Sequence, residues 1–346
     1  MPQRSTEGGP TMRDVAEAAG VSKALVSIVF RGAPGASERT RARVFEVADS
    51  LGYRTNRTAS LLARQQTRHL GVTLEVGNSF QGELVEAIQA TADEAGYEIV
   101  LSIVTARHEE TRAVETLLEF RCESLILLGS RLPEPDLDRL AGTVPTVLVG
   151  RRTPNPRLDV VRIAEDQGLA LVVDHLVSLG HTRIAHVDGG RSVISADRRR
   201  GYRLAMERHG RTTQVVSGGA GERDGWSAAE RLLVGDSLPS AVAAFNDHCA
   251  LGMIARFSRA GVRVPQDVSV TGYDDTPVAR YASVDLTSVS QDAAAQAAWA
   301  VTTAVSRLRG DTDSPRELVL RPALVVRGTT GPPGSRAHTP VSTTGP

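Results

Sequence analysis

The chain has 346 residues, 40 basic and 40 acidic side chains, 41% apolar residues and only 4% aromatics. That length suits two or three cores rather than one. No run approaches the ~18 consecutive apolar residues of a membrane span, and two isolated cysteines, Cys122 and Cys249, argue against a disulfide scaffold and for a reducing, cytoplasmic setting.

The opening MPQRSTEGGP is polar, lacks the apolar segment of a signal peptide and reads as a disordered N-terminus over 1–10. Charge is unevenly spread. Residues 1–68 hold eleven Lys and Arg against six acids, a surplus of +5, and the remainder holds 29 against 34, a balance of −5. A basic head on an acidic body points to a polyanion bound at one end. Within that head, Thr11 and Asp14 have the spacing of a capping box, and Val15, Ala16 and Ala19 line one face up to Gly20, which ends a first helix. VSKALVSIVF (21–30) is apolar enough for a strand, but Ser22 is placed to cap a helix. Leu25, Val26 and Val29 then share one side, leaving Lys23, Ala24, Ser27 and Ile28 partly or wholly outward. Lys23 is the only lysine in the chain. Two short helices across a glycine turn make a helix-turn-helix. A third helix is predicted from Ser37 to Gly52, with Val44, Val47, Ala48 and Leu51 inward. Ala59, Leu62 and Ala63 share a face in a stretch too short to be helical without a partner.

T-x-x-D-V-A-x-x-A-G-V-S-x-x-x-V-S (Thr11 to Ser27), S-x-x-T-R (Ser37 to Arg41), L-G-Y (Leu51 to Tyr53) and N-R-x-A-x-x-L-A (Asn56 to Ala63) together resemble the DNA-binding headpiece of the LacI/GalR family of bacterial transcription regulators. The resemblance implies a headpiece over 11–56 and a hinge helix over 57–68. It implies phosphate contacts from Ser22, Ser27, Thr40 and Asn56, with Thr11 near the backbone. Lys23 and Ala24 would open the recognition helix in the major groove. In the hinge, Ala59 would join the contacts and Leu62 would wedge into the minor groove. A homodimer would then meet a palindromic operator. Many members have arginine where this chain has Ile28, which offers only apolar contact, for instance to a thymine methyl.

From residue 69 a βα rhythm begins. Apolar strands are predicted at 69–76, 98–104, 124–129, 145–150, 183–188, 241–245 and 267–273, with helices between them, several ending at Gly96, Gly180, Gly210 and Gly261. Such strands imply parallel sheets covered on both faces. RRTPNPRLD (151–159) reads as a crossing between lobes. This half also resembles the family, through LGHTRIAHV (179–187), FNDHCALG (245–252), GVRVPQDVSVTGYDD (261–275), LTSVSQD (286–292) and LVVRGTT (324–330). The implied fold over 69–330 is an α/β core of two parallel-sheet lobes, like a periplasmic binding protein, that binds an effector and dimerises. The Pro/Gly/Ser/Thr-rich segment 331–346 reads as a disordered tail without leucine heptads.

Candidate effector residues follow from position and chemistry. Asp274 stands at the carboxyl end of a strand, where open α/β sheets bind ligands, and its carboxylate suits sugar hydroxyls. Asp275 is the better candidate for a turn or cap. Asn246 also ends a strand, and either caps the next helix or reaches a ligand. By the family position, three before a glycine, Arg198 is the cleft arginine of ADRRRGY. Trp226 either forms a platform for a sugar face or packs at a lobe edge. Phe80 is a possible second wall, and Gln291 lies on a connection between lobes. Gly150 stands where the family often has an acid, which removes one hydroxyl acceptor. There is no Walker loop, GxSxG or HExxH, SGGAGERDG (217–225) reads as a surface loop, and His181 and His186 are divided by a strand. No catalytic, metal or cofactor site is expected. The expectation is a dimeric repressor released from DNA by a small molecule, a sugar by preference. A corepressor-dependent regulator answering to a purine or another metabolite is the alternative.

Overall fold

The computed structural model describes residues 10–30, 34–53, 66–235 and 237–334. The chain forms two separate units, Met1–Thr67 and Arg68–Pro346.

In the first unit, helix Met12–Ala19 starts at Thr11, whose side chain accepts from the Asp14 amide while the Asp14 carboxylate accepts from the Thr11 amide. This reciprocal cap is worth about 1 kcal/mol. Gly20 turns the chain at φ 65°, a left-handed conformation costly for other residues. Helix Lys23–Phe30 follows, with Ser22 accepting from the Leu25 amide at 3.1 Å, and then helix Glu38–Ser50, capped by Ser37. Val15, Ala19, Val26, Val29, Val44 and Ala48 form the core. Phe30 extends it, with ring centroids 5.5 Å from both Phe45 and Tyr53. Two expected core residues are not in it: Leu25 is half-exposed and Leu51 is 39% exposed. An eight-residue helix touching two neighbours buries a narrow stripe, here Val26 and Val29. Leu51 sits at the turn before Gly52, where Tyr53 covers the core instead.

The second unit has two lobes. One is a parallel sheet of β1 (His69–Glu75), β2 (Glu98–Val104), β3 (Ser124–Leu128), β4 (Thr146–Val149), β5 (Asp159–Ile163) and β11 (Glu317–Leu320), in the order β11-β5-β4-β3-β1-β2. All five residues of β3 are buried, as both faces of such a sheet are covered. The other lobe holds β6 (Ile184–Val187), β7 (Gln214–Val216), β8 (Ala241–Ala243) and β9 (Ser269–Thr271), parallel in the order β7-β6-β8-β9. A short antiparallel pair, β10 (Ser288–Ser290) and β12 (Ala323–Val325), lies on this side, with Val289 in the second lobe's core. Helix Ala293–Leu308 belongs to the first lobe, packing Ala297, Ala300 and Val301 against Leu70 and Ile88. The chain therefore passes between lobes three times: after Ile163, at Gln291–Asp292, and after Leu320.

Several expectations change. RRTPNPRLD joins β4 to β5 inside one sheet and is no crossing, because β5 still pairs with β4. Only 217–221 of the glycine-rich stretch is loop, since helix Glu222–Val234 begins at Glu222. The expected tail is docked at its start, where the Gly331 carbonyl accepts from Ser269 Oγ and lies 2.9 Å from His181 Nε2. Residues 335–346 of the tail, residues 1–9, and most of the expected hinge lie outside the described residues.

Candidate functional site

In the first unit, Lys23 and Ala24 are exposed on the first turn of helix Lys23–Phe30, with Ser27 and Ile28 half-buried on the same element. Ile28 is partly covered by the turn at 34–36: a Cβ placed on Gly35 would stand 3.8 Å from its Cγ2. The hydroxyls of Thr11, Ser22 and Thr40 all take part in caps. Thr11 Oγ1 donates to Asp14 at 2.7 Å, Ser22 accepts from Leu25, and Thr40 Oγ1 lies 2.8 Å from Ser37 Oγ. A hydroxyl that accepts in a cap keeps its proton for donation, so Ser22 can still serve a phosphate. Asn56, Ala59 and Leu62 lie outside the described residues.

In the second unit, one cleft lies between the lobes at the carboxyl ends of both sheets. Phe80 follows β1, Gly150 follows β4, Asn246 follows β8 and Asp274 follows β9. Phe80, Arg198, Asn246, Asp274 and Gln291 all line it. Arg198, 3% exposed, is its centre. Nε donates to Glu165 at 2.7 Å, Nη1 to the Phe245 carbonyl at 2.6 Å, and Nη2 to Asp274 at 3.3 Å. Its guanidinium carbon also sits 3.5 Å from the centroid of the Tyr273 ring, a cation–π contact. Burial opposes its charge, yet the Glu165 and Asp274 carboxylates hold its pKa above the ordinary value.

Asp274 is placed by an unusual backbone, φ 103°, whose amide donates to the Val289 carbonyl at 2.8 Å. Gln291 Nε2 donates to its carboxylate at 2.6 Å. Burial pushes the Asp274 carboxyl up to about 7, opposed by Arg198 and Gln291 and reinforced by Asp247 and Glu165. Asp275 is turned away, paired with Arg327 at 2.6 Å. Asn246 Oδ1 caps helix Asp247–Arg259 by accepting from the Cys249 amide at 2.9 Å, the capping alternative, and the residue also lines the cleft.

Trp226 is the exception. It does not line the cleft. Its indole NH donates to Glu230 at 3.0 Å, and Arg256 and Arg259 lie 5.6 and 5.7 Å from its ring. One turn into its helix, it packs along the neighbouring helix, the lobe-edge alternative. Sequence reasoning missed Glu165, Gln81 and Gln296. Glu165 carries no motif signal in IAEDQG, and only the fold brings it to Arg198, 33 positions away. Gly150 lines the cleft at φ 88°, and a Cβ there would meet Ile194 Cδ1 at 3.9 Å. Among the described residues no group of three or more His, Cys, Asp or Glu could hold a metal ion, and no helix is long and apolar enough to cross a membrane.

The family model for bacterial regulatory proteins of the lacI family matches residues 11–56, and the periplasmic binding protein-like domain matches 173–330. The regulator GalR of Salmonella typhimurium is 34% identical over 336 residues, 95% of this chain and 98% of that protein. A lac repressor dimer bound to operator and the anti-inducer ONPF superposes with a TM-score of 0.81 at 29% identity, over 94% of this chain and 100% of that one. The regulator CelR in complex with cellobiose superposes at 0.70 with 30% identity, over 92% and 99%. The helix-turn-helix, the two-lobed body and a relative this similar along nearly its whole length place the chain in the LacI family of bacterial regulatory proteins.

Proposed function

We propose that this chain is a dimeric, cytoplasmic transcriptional repressor without catalytic activity, whose hold on a palindromic operator is weakened by a sugar bound in the interlobe cleft. One observation carries the reading: a single chain joins a basic helix-turn-helix to a cleft where Arg198, Asp274, Gln291 and Asn246 converge at the carboxyl ends of two sheets. Lys23, Ala24 and Ile28 read base edges in the major groove. Ser22, Ser27, Thr40, Thr11 and Asn56 set the register on phosphates, and Ala59 and Leu62 act in the minor groove. Phe80 and the polar residues named above hold the effector. The operator-bound relative with its anti-inducer and the relative holding cellobiose support both halves.

Selection of bound duplexes from a random library at about 150 mM salt, where nonspecific phosphate binding is weak, tests the first half. A palindrome is expected, with thymine facing Ile28, and Ile28→Arg shifts that position toward guanine. The selected duplex then serves for effector titration by fluorescence anisotropy. Operator affinity is expected to fall by roughly five- to 150-fold, a coupling of about 1–3 kcal/mol. An affinity indifferent to every cleft ligand rejects the regulatory half.

A further inference from the structure

One residue that lines the cleft carries a buried acceptor with nothing to accept. Gln296 is wholly buried on the first turns of helix Ala293–Leu308 and lines the cleft. Its Nε2 donates to the Gln291 carbonyl at 2.8 Å, and its Oε1 has no hydrogen-bond partner. The amide cannot be turned round without loss, because a carbonyl only accepts and so the atom facing it must be the nitrogen. A dry, unpaired amide oxygen is costly, which makes it a strong point for a ligand donor to dock. Of the other cleft amides, Asn78, Gln81 and Asn246 each accept from a backbone amide, Gln81 at 2.6 Å from that of Glu75, and Gln291 donates to the Asp274 carboxylate.

The charge of the lining points the same way. Among the described residues lining the cleft, Arg198 is the only basic one, against two carboxylates, Glu165 and Asp274. All three of its nitrogens are bonded, to those two carboxylates and to the Phe245 carbonyl. Arginine grips phosphate or carboxylate through two parallel N–H groups on one edge, and here each of its three nitrogens already donates to a protein oxygen. An incoming anion would meet the Glu165 and Asp274 carboxyl groups beside an arginine they already engage.

We propose that the Gln296 amide oxygen accepts a hydroxyl of the ligand, and that the ligand is an uncharged polyhydroxylated molecule rather than a phosphate ester or a carboxylate. This rests on the cleft being the effector site and narrows what that site takes.

The test uses the full-length chain and titration calorimetry. The probes are uncharged sugars and polyols (glucose, galactose, ribose, cellobiose and the corresponding sugar alcohols), each hexose and pentose matched with its terminal phosphate ester and its sugar acid. The tightest ligand is expected to be uncharged, with its phosphate ester and acid at least about tenfold weaker because a buried anion goes unpaired. A phosphate ester or acid that binds more tightly than its uncharged parent overturns the inference and leaves the effector reading intact. No saturable binding by any member overturns the effector reading, and the inference with it.

For the residue, Gln296→Met keeps length and removes the amide. It is expected to weaken the uncharged ligand by about tenfold, the range of one lost hydrogen bond in a dry site. Among the monodeoxy analogues of that ligand, one should lose as much on the wild-type chain and lose nothing further on Gln296→Met. Equal binding of every analogue by Gln296→Met and wild type overturns the contact. If the methionine variant does not fold, Gln296→Asn, which withdraws the oxygen by one methylene, makes the same comparison.

Discussion

Arg198 keeps its charge at 3% exposure because Glu165, Asp274, the Phe245 carbonyl and the face of Tyr273 replace the water it has lost. Removing it leaves two carboxylates buried beside each other. Arg198→Leu is therefore expected to lower the unfolding free energy by about 3–5 kcal/mol in urea titration; a loss below 1 kcal/mol would mean the carboxylates find water or each other's proton. Asp274 makes a pH prediction. Its carboxyl, raised by burial to about 7, binds its proton more tightly in the folded chain than in the unfolded one, so ionising it costs stability as pH rises from 3.8 toward 7. Ligand binding runs oppositely. A hydroxyl donating to the carboxylate favours the ionised form, so affinity is full above about pH 7 and declines by up to about tenfold per unit below it. Calorimetry at pH 6 and pH 8 reads this slope, and Asp274→Asn should flatten it. Asp274, Asn246, Phe80 and Gln291 were legible in the sequence because strand ends and a lobe connection are visible as pattern. Glu165 and Gln296 were not, because an acid at a helix start and a glutamine in an alanine-rich helix look like any solvated residue until the fold buries them.

At the scale of elements, the two helices Glu222–Val234 and Asp247–Arg259 meet through glycine. A Cβ on Gly252 would stand 1.8 Å from the Glu222 carbonyl oxygen, and one on Gly225 would stand 1.9 Å from that of Cys249. These are backbone contacts with no flexible side chain to give way. Gly252→Ala is expected to cost about 1–3 kcal/mol or more through forced separation of the pair, seen as a lower melting temperature; unchanged melting would mean the helices slide freely. This packing also explains Trp226. With glycines drawing the helices together, its ring lies along the neighbouring helix beneath Arg256 and Arg259 instead of in the cleft. In the first unit the helical reading of 21–30 holds against its strand-like composition, because the cap at Ser22 and the three-residue spacing of Val26 and Val29 outweigh β-branched propensity.

Across the second unit as a whole, the lobes stand closed on each other. His248 Nε2 lies 2.9 Å from Ser79 Oγ, Arg152 pairs with Asp197 at 2.6 Å, and Arg280 lies 3.7 Å from Glu83, each contact joining one lobe to the other. The cleft they close holds about 80 Å³, against the ~300–1,000 Å³ usual for a ligand pocket. Entry is therefore expected to need the lobes to part. Ser79→Ala combined with Arg152→Ala removes two of these contacts and is expected to raise the ligand association rate several-fold in stopped-flow measurements; an unchanged rate would mean that side-chain motion alone admits the ligand.

By itself the sequence determined the helix-turn-helix, seven of the twelve strands of the described residues and the strand ends that carry the cleft, since these follow from local rules: caps, apolar periodicity and glycine stops; it passed over β5, β7, β10, β11 and β12, most of them too short to show a pattern. It also separated the basic head from the acidic body, because charge is written directly in composition. The tertiary structure alone decided where the lobes are divided, which moved the first crossing from 151–159 to after Ile163. It likewise decided which polar residues share the cleft. Pairing of Arg198 with Glu165, the unpaired oxygen of Gln296 and the exclusion of Trp226 are set by distances between segments remote in sequence, and no local pattern encodes such distances.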